Sequence, residues 1–157
     1  MVRSSKSYRC EFKKSCKHLV SEIYSPPRIT QEIKRGRFRH LNPGFALDLT
    51  VVDPDDGMPW DFNRKEKRDK ARKLQREQEP MLLVGSPMCT YFSTWQRLNF
   101  SKSQDKAAVQ RAYIGACMHM RFVAELYHEQ LQGGRYFLHE HPRYASSWEL
   151  ECMKQLA

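Results

Sequence analysis

At 157 residues the chain is long enough for one domain with a real core, and 40% hydrophobic against 29% charged residues excludes full disorder. No apolar run approaches the roughly 18 residues of a membrane span, and no apolar signal core follows the basic N-terminus, so the reading is nuclear or cytoplasmic and not secreted. A formal net charge of +9 favours a polyanionic partner, nucleic acid first.

Residues 1–17 carry Arg3, Lys6, Arg9, Lys13, Lys14 and Lys17 against Glu11 alone. They read as a flexible basic arm ahead of an α/β domain over 18–157, although a terminus without a role fits the same residues. Cys10, Cys16 and His18 lack the paired spacing of a zinc site. Five cysteines at irregular spacings give no disulfide framework. Residues 18–24 have the apolar, β-branched character of a buried strand, stopped by Pro26 and Pro27. A short basic helix over 29–38, a turn at Asn42-Pro43-Gly44 and a second strand over 45–49 follow. Another turn covers 53–57, and 59–62 is a strand end or loop.

The pattern over 63–79 predicts a strongly basic helix, capped by Asn63 and ended by Pro80. Ala71 and Leu74 are its core-facing candidates, and its charge run fits a solvated face or a nucleic-acid contact. Residues 81–85 form a continuous apolar strand that ends in glycine. From 104 to 131, Val109, Tyr113, Ala116, Met120, Val123 and Tyr127 recur at spacings of three and four, which predicts a long helix stopped by Gly133-Gly134. A strand over 135–138 runs into His139-Glu140-His141-Pro142, and 146–156 starts a further helix.

Strands alternating with helices predict a mostly parallel sheet with flanking helices and right-handed crossovers. Chemistry in such sheets sits at the carboxyl ends of the strands. Three polar clusters fall there: Tyr24-Ser25-Pro26-Pro27, Ser86-Pro87-Met88-Cys89 and His139-Glu140-His141. Cys89 follows a buried strand, where a thiol is either a cleft nucleophile or a structural cysteine. Glu140 is either a site carboxylate or the partner of Arg135 or Arg143. His139 and His141 share one face of a strand but find no third ligand, so no metal is expected.

The segment Gly85-Ser86-Pro87-Met88-Cys89-Thr90-Tyr91-Phe92-Ser93 resembles the nucleophile loop of cytosine-5 DNA methyltransferases, Gly-x-Pro-Pro-Cys-x-x-Phe-Ser. Met88 stands where that family has its second proline. Phe137-Leu138-His139-Glu140-His141 resembles the family's next strand, which ends in Glu-Asn-Val; Glu140 falls on the glutamate, His141 and Pro142 replace the two residues after it, and a long helix separates the two motifs in both. The resemblance implies an incomplete Rossmann-like methyltransferase domain with S-adenosylmethionine as cofactor. It implies Cys89 as the nucleophile that adds to cytosine C6, and Glu140 as the protonated partner at N3 of a base flipped out of the helix.

For the cofactor it implies Tyr24 and Ser25 in the loop after the first strand. Asp48 would accept from ribose hydroxyls, Asp61 from the adenine amino group, and Gly85 and Pro87 would lie in the loop after the third strand. Pro26 and Pro27 depart from the family's glycine turn, removing N–H donors and fixing φ.

The wording of the three motifs also resembles a degenerate methyltransferase-like module of copia-type retroelement polyproteins. Together the two resemblances imply a truncated, degenerate methyltransferase-like domain, which if active transfers methyl to cytosine in DNA. The alternative is a non-enzymatic nucleic-acid-binding module, or a fragment of a retrotransposon-derived polyprotein, using the basic arm and the helix over 63–79. A pseudogene fragment with no function fits as well. An apolar strand over 135–138 at a sheet edge further predicts self-association or a longer parent chain.

Overall fold

The structure is a computed structural model that describes residues 18–93 and 105–156, so the basic arm at 1–17, with Cys10 and Cys16, lies outside the described residues. Four parallel strands form one sheet in the order β2-β1-β3-β4: β1 is Leu19–Ile23, β2 Asn42–Leu47, β3 Leu82–Gly85 and β4 Tyr136–His139. Helix α1 (Ile29–Lys34) joins β1 to β2, α2 (Lys65–Gln78) lies between β2 and β3, and α3 (Lys106–Gln132) lies between β3 and β4. A 3-10 turn at Ser146–Glu149 and the short α4 (Glu151–Lys154) follow. This is an α/β fold with an all-parallel sheet and flanking helices, a Rossmann-like arrangement that agrees with the parallel sheet the alternating pattern predicts.

The period of two along each strand sorts the core into two layers. Ile23 and Leu83 point to one face, where they pack with Ala71 of α2 and with Phe122, Val123, Leu126 and Tyr127 of α3. Val20 and Val84 point to the other face and pack with Ile33 of α1. Strand β4 is a sheet edge. Its Phe137 stacks on Tyr127, while Tyr136 and Leu138 are 66% and 50% exposed on the opposite face of the strand.

Three local expectations are corrected. Asn42-Pro43-Gly44, read as a turn, is the start of β2. Pro43 is tolerated because β2 is an edge strand, and Gly44 because a Cβ there would meet the Ser21 hydroxyl at 2.1 Å. Asn63 does not cap α2: the N-cap is Arg64, without a side-chain bond, and Asn63 is turned toward Asp61 and His119. The single helix expected over 146–156 is broken at Leu150, whose backbone is extended. Residues 104–131 match closely, with Lys106–Gln132 helical, Asp105 accepting from the Ala108 amide at 2.8 Å, and Gly134 at a φ of 66° beyond the end.

Candidate functional site

The strand order reverses direction at β1, and ligands in open parallel sheets bind beside such a reversal, at the carboxyl ends of the strands. A cleft of about 630 Å³ lies there, within the size range of small-ligand pockets. Three of the six expected cofactor residues line it: Tyr24 after β1, Asp48 after β2, and Asp61 in the loop before α2. Trp60 and Phe62 flank Asp61, and Ser86 and Met88 come from the loop after β3. Helix α3 forms the opposite wall through Arg111, Gly115 and His119, spaced four apart and therefore on one stripe.

Hydrogen bonds tie the acidic end of the cleft together. Tyr24 has a φ of 56°, a left-handed conformation that bulky residues seldom adopt. Its amide donates to the Leu47 carbonyl at 2.8 Å, and its ring packs on Phe62 with centroids 4.7 Å apart. The Asn63 side-chain amide donates to Asp61 Oδ1 at 2.9 Å, which turns its oxygen toward His119 Nε2, 3.1 Å away. His119 Nε2 therefore carries the proton, and Nδ1 accepts from the Tyr24 hydroxyl at 2.8 Å. Burial and the Arg68 guanidinium hold His119 below its ordinary pKa against the opposing pull of Asp61. Burial likewise pushes the Tyr24 phenol well above its usual range, so it stays a donor.

Each cleft carboxylate has one oxygen engaged locally. Asp48 Oδ1 accepts from the Thr50 amide and hydroxyl, and Asp61 Oδ1 from the Asn63 amide and side chain. The two Oδ2 atoms have no hydrogen bond among the described residues and are the natural acceptors for ligand hydroxyl or amino groups. The two acceptor oxygens and the aromatic walls of Tyr24 and Phe62 fit the nucleoside part of S-adenosylmethionine. The loop after β1 does not supply the rest. Its proline turn leads into α1, whose first amides serve Glu22: the buried Glu22 carboxylate accepts from the amides of Arg28, Ile29 and Thr30 and from the Thr30 and Ser25 hydroxyls. A helix start that receives anions in nucleotide-binding folds is filled here by the chain's own carboxylate.

The other expected residues lie outside the cleft lining. Ser25 is buried on Glu22. Gly85 is held to glycine by Tyr127, whose hydroxyl would lie 2.0 Å from an added Cβ. Pro87 is buried and its carbonyl accepts from His141 Nε2 at 2.9 Å. Cys89 caps the 3-10 turn Thr90–Phe92 and is half-buried, while its neighbour Met88 lines the cleft. Glu140 is exposed, with its amide donating to the Gly85 carbonyl at 2.9 Å. Cys89 and Glu140 follow the neighbouring parallel strands β3 and β4, and neither lines this cleft. Arg135 pairs with Glu79, and Arg143 lies over Tyr144.

His141 is a structural residue: Nδ1 bonds the Ser147 hydroxyl at 2.6 Å and Nε2 the Pro87 carbonyl, which leaves no lone pair for a metal. Among the described residues no group of three or more His, Cys, Asp and Glu could hold a metal ion. His139 packs against Trp148 and bonds the Tyr127 hydroxyl, and burial with the His141 ring beside it pushes its pKa down to about 4. The unfolded chain, with histidine near 6.5, therefore binds more protons than the folded chain between pH 6.5 and 4. Stability is expected to fall as pH drops through that window, by at most about 1.4 kcal/mol per pH unit for this group. Thermal melts from pH 7 to 4 should show a shallower slope for His139→Gln; an unchanged slope would discount the residue.

The basic helix α2 is largely neutralised. Lys67, 2% exposed, bonds Asp53 at 2.6 Å and Asp56 at 2.8 Å, and Lys70 bonds Asp53 at 2.5 Å. Both ammoniums sit over the Trp60 ring, at 5.0 and 5.3 Å. Arg72 pairs with Asp69 and Glu125, and Arg76 with Glu129.

Sequence reasoning missed Trp60, Phe62, Arg111 and His119 as cleft residues. The available signal was on α3, where Arg111, Gly115 and His119 form a second stripe at helical spacing, apart from the apolar one. No family model matches the chain, and neither a curated protein nor a solved structure matches it. No helix among the described residues is long and apolar enough to cross a membrane.

Proposed function

We propose that this chain is a degenerate methyltransferase-like domain that binds a nucleoside cofactor of the S-adenosylmethionine class in the cleft beside β1. The observation that carries the reading is the pair Asp48, just after β2, and Asp61, in the loop before α2, which line the cleft with one oxygen each unengaged among the described residues, together with the Tyr24 and Phe62 rings. Carboxylates accept from ribose hydroxyls and an exocyclic amine, and aromatic rings stack on a base. The bound group supplies an electrophilic methyl; the residues of this chain bind it, orient it and screen it from water.

Titration calorimetry with S-adenosylmethionine tests the reading. Saturable binding is expected, weakened about 10- to 100-fold in the double variant Asp48→Asn, Asp61→Asn, on the scale of one to two lost charge-assisted hydrogen bonds. No binding by the unmodified chain would sink it. Transfer to cytosine through Cys89 with Glu140 is the finer proposal, supported by the motif resemblance and by the two residues' exit from adjacent strands. Methyl incorporation into cytosine-containing DNA that is equal in Cys89→Ala would remove it.

Nucleic acid is the partner that the charge distribution favours, in a nuclear or cytoplasmic setting. Six Lys and Arg against one Glu put five of the nine net positive charges in residues 1–17, whereas cations of α2 pair with Asp53 in the loop before it and with Glu125 and Glu129 of α3. A binding module of this kind, inside a retroelement-derived polyprotein or not, loses DNA affinity steeply as salt rises. Self-association or a longer parent chain would use the β4 edge, where Tyr136 and Leu138 are exposed, and light scattering decides between a monomer and an assembly.

A further inference from the structure

We propose that Arg111 anchors an anionic tail on the nucleoside bound in this cleft, so that the site selects a nucleoside extended by a carboxylate or a phosphate over a bare one. The inference rests on the nucleoside reading above and adds the group that reads the far end of the ligand.

The cleft is polar at two separate ends. Asp48 and Asp61 mark one end, together with His119 bound to Tyr24 and Asn63. Arg111 marks the other, eight residues before His119 on the same stripe of α3, which is about 12 Å along the helix. Among the described residues Arg111 makes no ion pair and no hydrogen bond, unlike the arginines of α2. Between the two ends the helix presents Ala112, Gly115 and Ala116, and a Cβ at Gly115 would meet no atom within 4 Å. Among the described residues the helix face at Gly115, between the acidic end and the guanidinium, is therefore open.

Charge decides the orientation. An anionic tail is repelled by Asp48 and Asp61 and attracted by Arg111. The rival anion receiver, the start of α1, is filled by Glu22 through the amides of Arg28, Ile29 and Thr30. Arg111 is the one lining cation among the described residues, and its planar fork matches carboxylate and phosphate alike.

The test is calorimetric titration of the full chain with adenosine, S-adenosylhomocysteine and adenosine monophosphate. Wild-type protein is expected to bind at least one tailed ligand about 10- to 100-fold more tightly than adenosine. Arg111→Gln should erase that preference while leaving adenosine affinity unchanged, and Arg111→Lys should restore part of it. A preference confined to S-adenosylhomocysteine assigns the tail to a carboxylate, and one confined to the monophosphate assigns it to a phosphate. Equal binding of all three ligands, or a preference that survives Arg111→Gln, overturns this inference while keeping the nucleoside site. Failure of every ligand to bind overturns the nucleoside reading, and this inference with it. Arg111 is exposed on a helix surface, so both variants should keep the wild-type melting temperature, which separates a binding defect from misfolding.

Discussion

Asp53→Ala is expected to destabilise the fold by about 3–5 kcal/mol, because it strips the main partner from a buried ammonium. Asp53 is 0% and Lys67 2% exposed, and the two are joined at 2.6 Å. Burial alone would raise the Asp53 pKa, but the hydrogen bonds from Lys67 and Lys70 and that from the Asp55 amide outweigh it and hold the carboxyl at about 2. A folded-state pKa below the unfolded value of about 3.9 contributes stability that is present above that value and is lost as pH falls through about 2. Urea unfolding at neutral pH measures the mutational loss, and the same curves taken down to pH 2 should show a shallower acid limb in the variant. A loss below about 1 kcal/mol would mean that the Lys67 head reaches water. Replacing both partners with apolar residues, Asp53→Leu with Lys67→Met, should recover most of the loss, since a buried pair is costly mainly when half of it is removed.

Glu22→Ala should cost at least about 3 kcal/mol, given that single hydrogen bonds to a charged group are worth about 1.5–3 kcal/mol. The substitution leaves the amides of Arg28, Ile29 and Thr30 and the Thr30 hydroxyl without their acceptor, while the Ser25 hydroxyl keeps the Pro26 carbonyl, in a site where Glu22 is 1% exposed. Glu22→Gln should cost less, because one acceptor oxygen survives while the new amide group confronts donors. Hydrogen exchange gives the local readout: the Thr30 amide, bonded to Glu22 at 2.8 Å, should lose its protection in both variants ahead of the β1 amides. Unchanged exchange at Thr30 would show that α1 is held by Ile33 packing alone. Because Tyr24 sits two residues beyond Glu22 in a left-handed conformation, loosening this loop should also weaken ligand binding in the cleft.

Much of the fold was legible in the residue pattern. Four apolar runs and the long amphipathic repeat ending at Gly133-Gly134 placed the strands and α3, because a period of two or of 3.6 is set by which side chains must be buried. Local punctuation was less dependable. Pro43 and Gly44 read as a turn because those types dominate turns, yet a sheet edge and the close approach of Ser21 make them part of β2. Of the candidate site, Tyr24 and Asp48 could be found from their positions after strands, which is where parallel sheets expose polar groups, whereas Asp61 lies in the loop before α2. Ser25, Gly85 and Pro87 sit just as near the strand ends, but their surroundings turn them to structural use.

By itself the amino-acid sequence determined the alternation of strands and helices, the parallel sheet that follows from it, and the excess of positive charge. Those properties depend on near neighbours and on totals, which a linear string contains. Only the tertiary structure decided that Lys67 is a buried ion-pair partner rather than one more cation on a solvated helix, that Glu22 fills the start of α1, and that Arg111 and His119 face Asp48 and Asp61 across one cleft. Each of these pairings joins residues distant in the chain. Their energies come from desolvation and from which charge lies opposite, and neither exists until the sheet brings its strand ends together.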